Sequence, residues 1–283
     1  MTTLLERQTI YTPLGIRFWD PATDSQVAHG LRVRAWRDGA TEPVRTAFRT
    51  ASGIYAFQGL PGLRDVEFPA GDNGAASPPA GLRFVVSLED QQRRFLPAVM
   101  RIDAPFDGIY PTALPASPPG AALPGFYLFS APWRPVKALA AVRADLVRRS
   151  TGQPAAHAVL ELDVEDSGVW HGIADERGSV AVFLPAPPFQ ATLGSSPPGP
   201  QAPPHQQQWQ VTARVRYQPS HLETPAGAEL PDLRTILTQA AGLTWPAAAG
   251  AGSAQLNTVL SFGQDLVLRT AGLAETRLLI DTA

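Results

Sequence analysis

Four of the five histidines, His157, His171, His205 and His221, fall in the second half of the chain beside Glu161, Asp163, Glu165 and Asp175. These residue types build metal centres and acid–base pairs. Zinc and iron sites need ligands at useful spacings, such as two histidines one helical turn apart, and no two of these histidines stand so. Glu161, Asp163 and Glu165 alternate along one predicted strand and therefore share a face, which would offer oxygen ligands to calcium. Calcium loops require bent backbone and glycine rather than a flat strand, so the strip reads as the solvated face opposite Leu160, Leu162 and Val164. His29 and His157 occupy matching places, in QVAHG and PAAHA, which points to a structural role at a strand start. No G-x-S-x-G, Ser-His-Asp ordering cue or Gly-rich phosphate loop occurs. The expectation is a non-enzymatic protein with no catalytic residue, no cofactor and no metal.

The tryptophans offer a different chemistry, because sugar rings and partner side chains stack on exposed indoles. Trp19, Trp36, Trp170 and Trp209 lie in or beside predicted strands, where core packing is the usual reason for a tryptophan. Trp133 and Trp245 instead adjoin prolines in predicted loops. Together with Arg134, since tryptophan beside arginine is common at interface hot spots, they are the candidate partner-binding residues.

The surroundings of these residues set limits on what they can contact. A chain of 283 residues suits two domains of ordinary size. Its charged fraction, 17%, lies below the roughly 25% of a typical soluble protein, and 29 prolines with 24 glycines favour turns. The net charge of −2 implies neither nucleic acid nor an anionic membrane as partner. Lys137 is the single lysine; the arginine bias fits either a partner interface or a GC-rich genome. The absence of cysteine removes disulfides, thiolate metal sites and cysteine nucleophiles. Glu6 and Arg7 interrupt the start where a signal peptide needs an apolar core, and no stretch reaches about 18 apolar residues. The expected location is cytoplasmic.

The elements that must hold these residues follow from a pattern that occurs twice, about 125 residues apart. In the first copy Ile16, Phe18, Leu31, Val33 and Ala35 alternate with arginines, the period of half-buried strands. The turn at 20–26 is rich in Asp, Pro, Thr and Ser. A further strand, Ile54 to Phe57, leaves a Ser52-Gly53 turn and closes at Gly59-Leu60-Pro61-Gly62, and the segments 63–68, 82–90 and 93–102 supply more strands. The second copy predicts strands at 142–146, 158–164, 169–174 and 180–184, with a hairpin turn at Asp175-Glu176-Arg177-Gly178. Later strands are expected at 207–218, 266–269 and 276–281. The segment 207–218 sets Trp209, Val211, Ala213, Val215 and Tyr217 on one face. Residues 110–135 hold seven prolines and read as a linker, and 185–204 hold eight and read as a binding arm or loop. One helix is expected over 231–241, with Pro231 in its first turn, a stripe of Leu233, Ile236, Leu237, Ala240 and Ala241, and Gly242 at its end.

The run Thr50-Ala51-Ser52-Gly53-Ile54-Tyr55-Ala56-Phe57-Gln58-Gly59-Leu60-Pro61-Gly62 resembles the carboxypeptidase regulatory-like family, a transthyretin-like (prealbumin-like) β-sandwich. The second copy keeps Ala174-Asp175 and Gly178 but has Val180 and Val182 in place of the aromatics. The wider layout, with FWDP at 18–21, FLP at 95–97, FSAPWRPV at 129–136 and GIADERG at 172–178, resembles β-sandwich proteins of phage-tail-like contractile injection systems. The resemblance implies an all-β protein of two tandem transthyretin/Ig-like sandwiches, 1–110 and 138–283, joined by a Pro-rich linker at 111–137. It also implies a structural subunit, an accessory baseplate, cap or decorating component, whose partners are other protein subunits. The alternative is a carbohydrate- or ligand-binding sandwich using its loop tryptophans. The fold alone does not choose between them.

Overall fold

A computed structural model describes residues 11–68, 81–105, 109–110, 126–135, 139–187 and 207–283. Two short strands, β1 (Leu14–Ile16) and β2 (Phe18–Asp20), form one extended stretch interrupted at Arg17, followed by β3 (Ser25–Gln26) and β4 (Leu31–Arg37). Then come β5 (Arg45–Thr46), β6 (Phe48–Arg49), β7 (Tyr55–Phe57), the one-turn helix α1 (Arg64–Glu67), β8 (Leu82–Asp90), β9 (Ala98–Ala104), β10 (Ile109–Tyr110) and β11 (Phe126–Tyr127). The second half holds β12 (Leu139–Arg148), β13 (Val159–Val164), β14 (Gly168–Ile173), β15 (Ser179–Pro185), β16 (Gln208–Arg216) and helix α2 (Leu233–Leu237). It ends with β17 (Gly242–Thr244), β18 (Leu256–Ser261), β19 (Leu266–Leu268) and β20 (Arg277–Thr282). The all-β expectation holds, and no helix among the described residues is long and apolar enough to cross a membrane.

The duplication extends to strand pairing. One sheet of the first half runs β5-β4-β8-β9, and its counterpart runs β14-β13-β16-β18. In the opposing sheets, β1 has β7 antiparallel on one side and β10 parallel on the other, while β12 has β15 antiparallel on one side and β19 and β20 parallel on the other. Alternation explains why these strands close over a core: Leu14, Ile16 and Phe18 meet Val33, Phe84 and Ile102, and Val142, Val182 and Ile280 meet Leu160, Val211 and Val215.

The turn entering β7 and the turn entering β15 match atom for atom. Thr50 Oγ1 accepts from Ile54 N at 3.0 Å as Asp175 Oδ1 accepts from Ser179 N at 2.9 Å. Gly53 N donates to Thr50 O, and Gly178 N to Asp175 O, both at 3.0 Å. Both glycines are left-handed, at φ +78° and +80°, and a Cβ on Gly178 would stand 2.3 Å from Leu146 O. Only glycine meets both demands.

Four expectations need correction. Residues 63–68 form α1 rather than a strand, because buried Glu67 reaches back to accept from Gly59 N at 2.6 Å and so fixes a turn of helix beneath Leu63. The second helix is shorter than 231–241. Asp232 is its N-cap, accepting from Arg234 N at 3.0 Å, so Pro231 lies outside it. At its other end Gln239 donates to His157 O and Ile236 O while accepting from Gln218 N. These bonds draw the chain out of the helix, and Gly242 opens β17 against β20. The stripe Leu233, Ile236 and Leu237 enters the core of the first half, not the second. Finally, part of the expected linker is sheet and core: β11 pairs parallel with β2, and Tyr127, Leu128, Phe129 and Ala131 are buried. Residues 111–125, 136–138 and 188–206, with most of both Pro-rich segments, lie outside the described residues.

The segment between β16 and β17 crosses to the first half and clasps its outer face. Trp36 Nε1 donates to Ala226 O at 2.9 Å, and Trp36, Val85 and Val99 pack with Ala228 and Leu230. Arg101 of β9 meets Glu223 at 2.9 Å, Asp38 at 3.2 Å and Asp232 at 3.5 Å.

Candidate functional site

The structure separates the three residues picked out as partner contacts. Trp133 is 57% exposed, and its indole is held by Nε1 donating to Arg93 O at 2.9 Å. Arg134, in contrast, turns inward: it donates to Asp20 Oδ2 at 2.6 Å and to Ser130 Oγ at 2.8 Å, and stacks 4.8 Å over the Phe95 ring. Asp20 is buried and also accepts from Ala22 N and Thr23 Oγ1. A desolvated carboxylate requires a cation, and Arg134 is that cation, which withdraws it from any partner surface.

Trp245 is only 8% exposed. The proline after it marks a loop, but its backbone N donates to Leu279 O, its carbonyl accepts from Thr270 Oγ1 at 2.7 Å, and Arg149 stacks 5.0 Å from its ring. Gly252 presses so close that a Cβ there would lie 2.9 Å from the indole. Trp245 is therefore a packing residue rather than a loop contact.

Of the acidic strip, Asp163 and Glu165 lie exposed as expected, and only Glu161 departs from that reading. Glu161 is buried and faces Arg216 at 3.4 Å, Arg214 at 3.5 Å and His171 Nε2 at 3.8 Å, so it is not part of a solvated face. Asp163 faces Arg214 at 3.9 Å, and Glu165 accepts from Gln210 N at 3.0 Å. No group of three or more His, Cys, Asp or Glu that could hold a metal ion occurs among the described residues. Burial holds the His171 imidazole below the ordinary histidine range, an effect that the Glu161 carboxylate only partly opposes. His29 and His157 serve through their carbonyls, which accept from Arg94 and Gln239 respectively, each at 2.8 Å. His205 lies outside the described residues.

A cavity of about 780 Å³ opens where the two halves and the clasp meet, a size suited to an organic ligand. Leu96, Val99 and Phe129 from the first half and Leu233 and Ile236 from the clasp supply apolar wall. Trp133 stands beside them, and the Asp175 to Ser179 turn with His157 forms the polar side. Asp175 is half-buried, whereas Arg93, Glu176 and Arg177 are exposed. Asp175 Oδ1 accepts from Arg177 N and Ser179 N, both at 2.9 Å, which orients the carboxylate. Arg93 and His157 both sit in left-handed backbone, at φ 56° and 60°, a conformation that costs energy in non-glycine residues and gathers at functional sites. Burial lowers the His157 pKa despite the nearby Glu176 and Asp175 carboxylates, so its imidazole is neutral at neutral pH.

Of the residues singled out in the sequence, Trp133 lines this cavity as a candidate partner contact, and His157 and Asp175 line it without forming the metal site weighed for them. That they share one cavity was hidden, because 92–99, 157, 173–179 and 230–236 are far apart in sequence and meet only in the folded chain. The repeat held the available signal: Asp175 carries a charge where the equivalent first-copy turn has the neutral Thr50. The sequence matches no known protein family, and no curated protein is significantly similar to it.

Proposed function

We propose that the protein is a non-enzymatic structural subunit of a multi-protein assembly, an accessory baseplate, cap or decorating component of a contractile injection (phage-tail-like) particle. The supporting observation is the clasp: Arg101, Trp36 and the α2 stripe bind one half to the other as a single block, the property expected of a part that sets spacing between neighbours. Affinity purification from the native host followed by size measurement tests it. Co-purification with tail or sheath proteins in a large particle is the expected outcome; a solitary 30.2 kDa species would end this reading.

A second reading, a ligand-binding sandwich module, is favoured by the exposed Trp133 ring at the cavity. With Trp245 buried, the platform of two loop tryptophans for sugar rings is gone, which leaves the cavity itself as the recognition element.

A further inference from the structure

We propose that the cavity between the two halves binds an organic cation, an ammonium or guanidinium group on an apolar stem, with the cation between the Trp133 indole and the Asp175 carboxylate. The inference rests on the ligand-binding reading and is independent of the assembly.

Charge and aromatic geometry decide the ligand class. Among the described residues, four ionic side chains line the cavity besides His157: Arg93, Asp175, Glu176 and Arg177. Three of them are exposed, and water and salt screen charges in that position. Asp175 alone is half-buried, so its charge dominates the interior. Its Oδ1 is used by two backbone donors, whereas its Oδ2 makes no hydrogen bond to a described residue. The neutral His157 adds no positive charge to offset it.

Trp133 points to the same ligand. Its only polar atom already donates to Arg93 O, so the ring can offer a ligand its π-face but no hydrogen bond. A π-face carries negative potential and attracts cations, arginine-type groups in particular. Sugars need a dense set of donors and acceptors, but among the uncharged residues of the described wall, Trp133 and His157 aside, only Gln92 and Ser179 carry polar side chains; the others are Leu, Val, Ile, Ala and Phe with four prolines, and proline has no N–H. An anion would meet Asp175, and no buried cation among the described lining residues would receive it.

The test titrates the full chain by calorimetry with butylguanidinium, its uncharged isostere butylurea, and pentanoate. A second arm uses a blocked heptapeptide of apolar residues with a central Arg, and the same peptide with Gln or Glu there. The expected result is binding of the cationic probe at least about tenfold tighter than the neutral one, with none detectable for the anion. Binding of butylguanidinium itself identifies a free amine or guanidine as ligand. Binding confined to the Arg peptide identifies a basic side chain of a partner polypeptide; either supports the proposal. W133A should weaken binding about tenfold, D175N by a similar factor, and E176Q less than twofold because that carboxylate is exposed. Thermal unfolding of each variant confirms that it is folded, and W133F, which keeps a ring, should bind better than W133A. Equal affinity for Arg and Gln probes, a preference for Glu, or no binding in either arm would overturn the proposal and leave the assembly test unaffected.

Discussion

The two copies share a topology but differ in how each is completed. The second closes on itself: every buried member of its core lies between Val142 and Ile280, and β12 runs unbroken for 10 residues. The equivalent stretch of the first copy is broken at Arg17 into two strands of 3 residues. Its core borrows Val159, Ile173, Leu233, Ile236 and Leu237 from the second half. The repeated topology therefore gives two frames, but only one self-sufficient core. The other became dependent on its neighbour, and the cavity lies along that dependence.

The sharpest way to break this comparison is to separate the halves. Residues 139–283 alone should unfold cooperatively in urea, whereas residues 1–138 alone should show no cooperative transition, because the first core then loses its borrowed side chains. Cooperative unfolding of the 1–138 fragment would refute the asymmetry. Next in size comes the contrast of two arginines. R134A strands the buried Asp20 carboxylate and should cost about 3 kcal/mol by urea denaturation. R277A frees Glu275, whose side chain is 61% exposed, and should cost less than about 1 kcal/mol. W36F removes the bond to Ala226 O from a well-packed site and should cost about 1 kcal/mol.

Protons distinguish the copies as well. His171 and His157, both in the second half, are shifted down by burial. The unfolded chain then binds more protons as pH falls below about 6.5, so the stability they confer is present above that value and fades toward their folded pKa values. In the first copy Asp90 is shifted down: burial acts to raise it, but hydrogen bonds from Arg94 and Gln92 N more than offset that. Its contribution is present above about pH 4 and is lost only as pH falls through its depressed folded value. H171Q should flatten the fall in urea midpoint between about pH 7 and pH 5.5 while leaving the decline below about pH 4 in place. The smallest expected effect is W133A, which should change stability by less than about 0.5 kcal/mol; a larger loss would mean that the exposed indole packs rather than binds.

Strands were legible wherever alternation was strong. Leu31, Val33 and Ala35 are buried and the intervening Arg32 and Arg34 exposed, and the face from Trp209 to Tyr217 is buried as its period requires. The repeated turn was legible because Gly53 and Gly178 answer a steric demand that no other residue meets. The misreadings share a cause: a contact from outside the local window decided them. Glu67 bonds a preceding loop, Gln239 ends a helix by reaching His157, and Arg134 pairs with Asp20 across 114 positions of sequence. Local patterns suggest that Trp133 and Trp245 are alike, each beside a proline, and only the surrounding strands and Gly252 separate the exposed one from the buried one.

The clasp has a mechanical consequence. A tether made of chain alone would let two sandwiches swing, but a second attachment through Arg101, Trp36 and α2 closes a loop between them and removes the hinge. Tension along the molecule would then load the clasp and the shared core contacts of Val159 and Ile173 together, so the pair should yield in one step rather than stretch gradually as a string of beads.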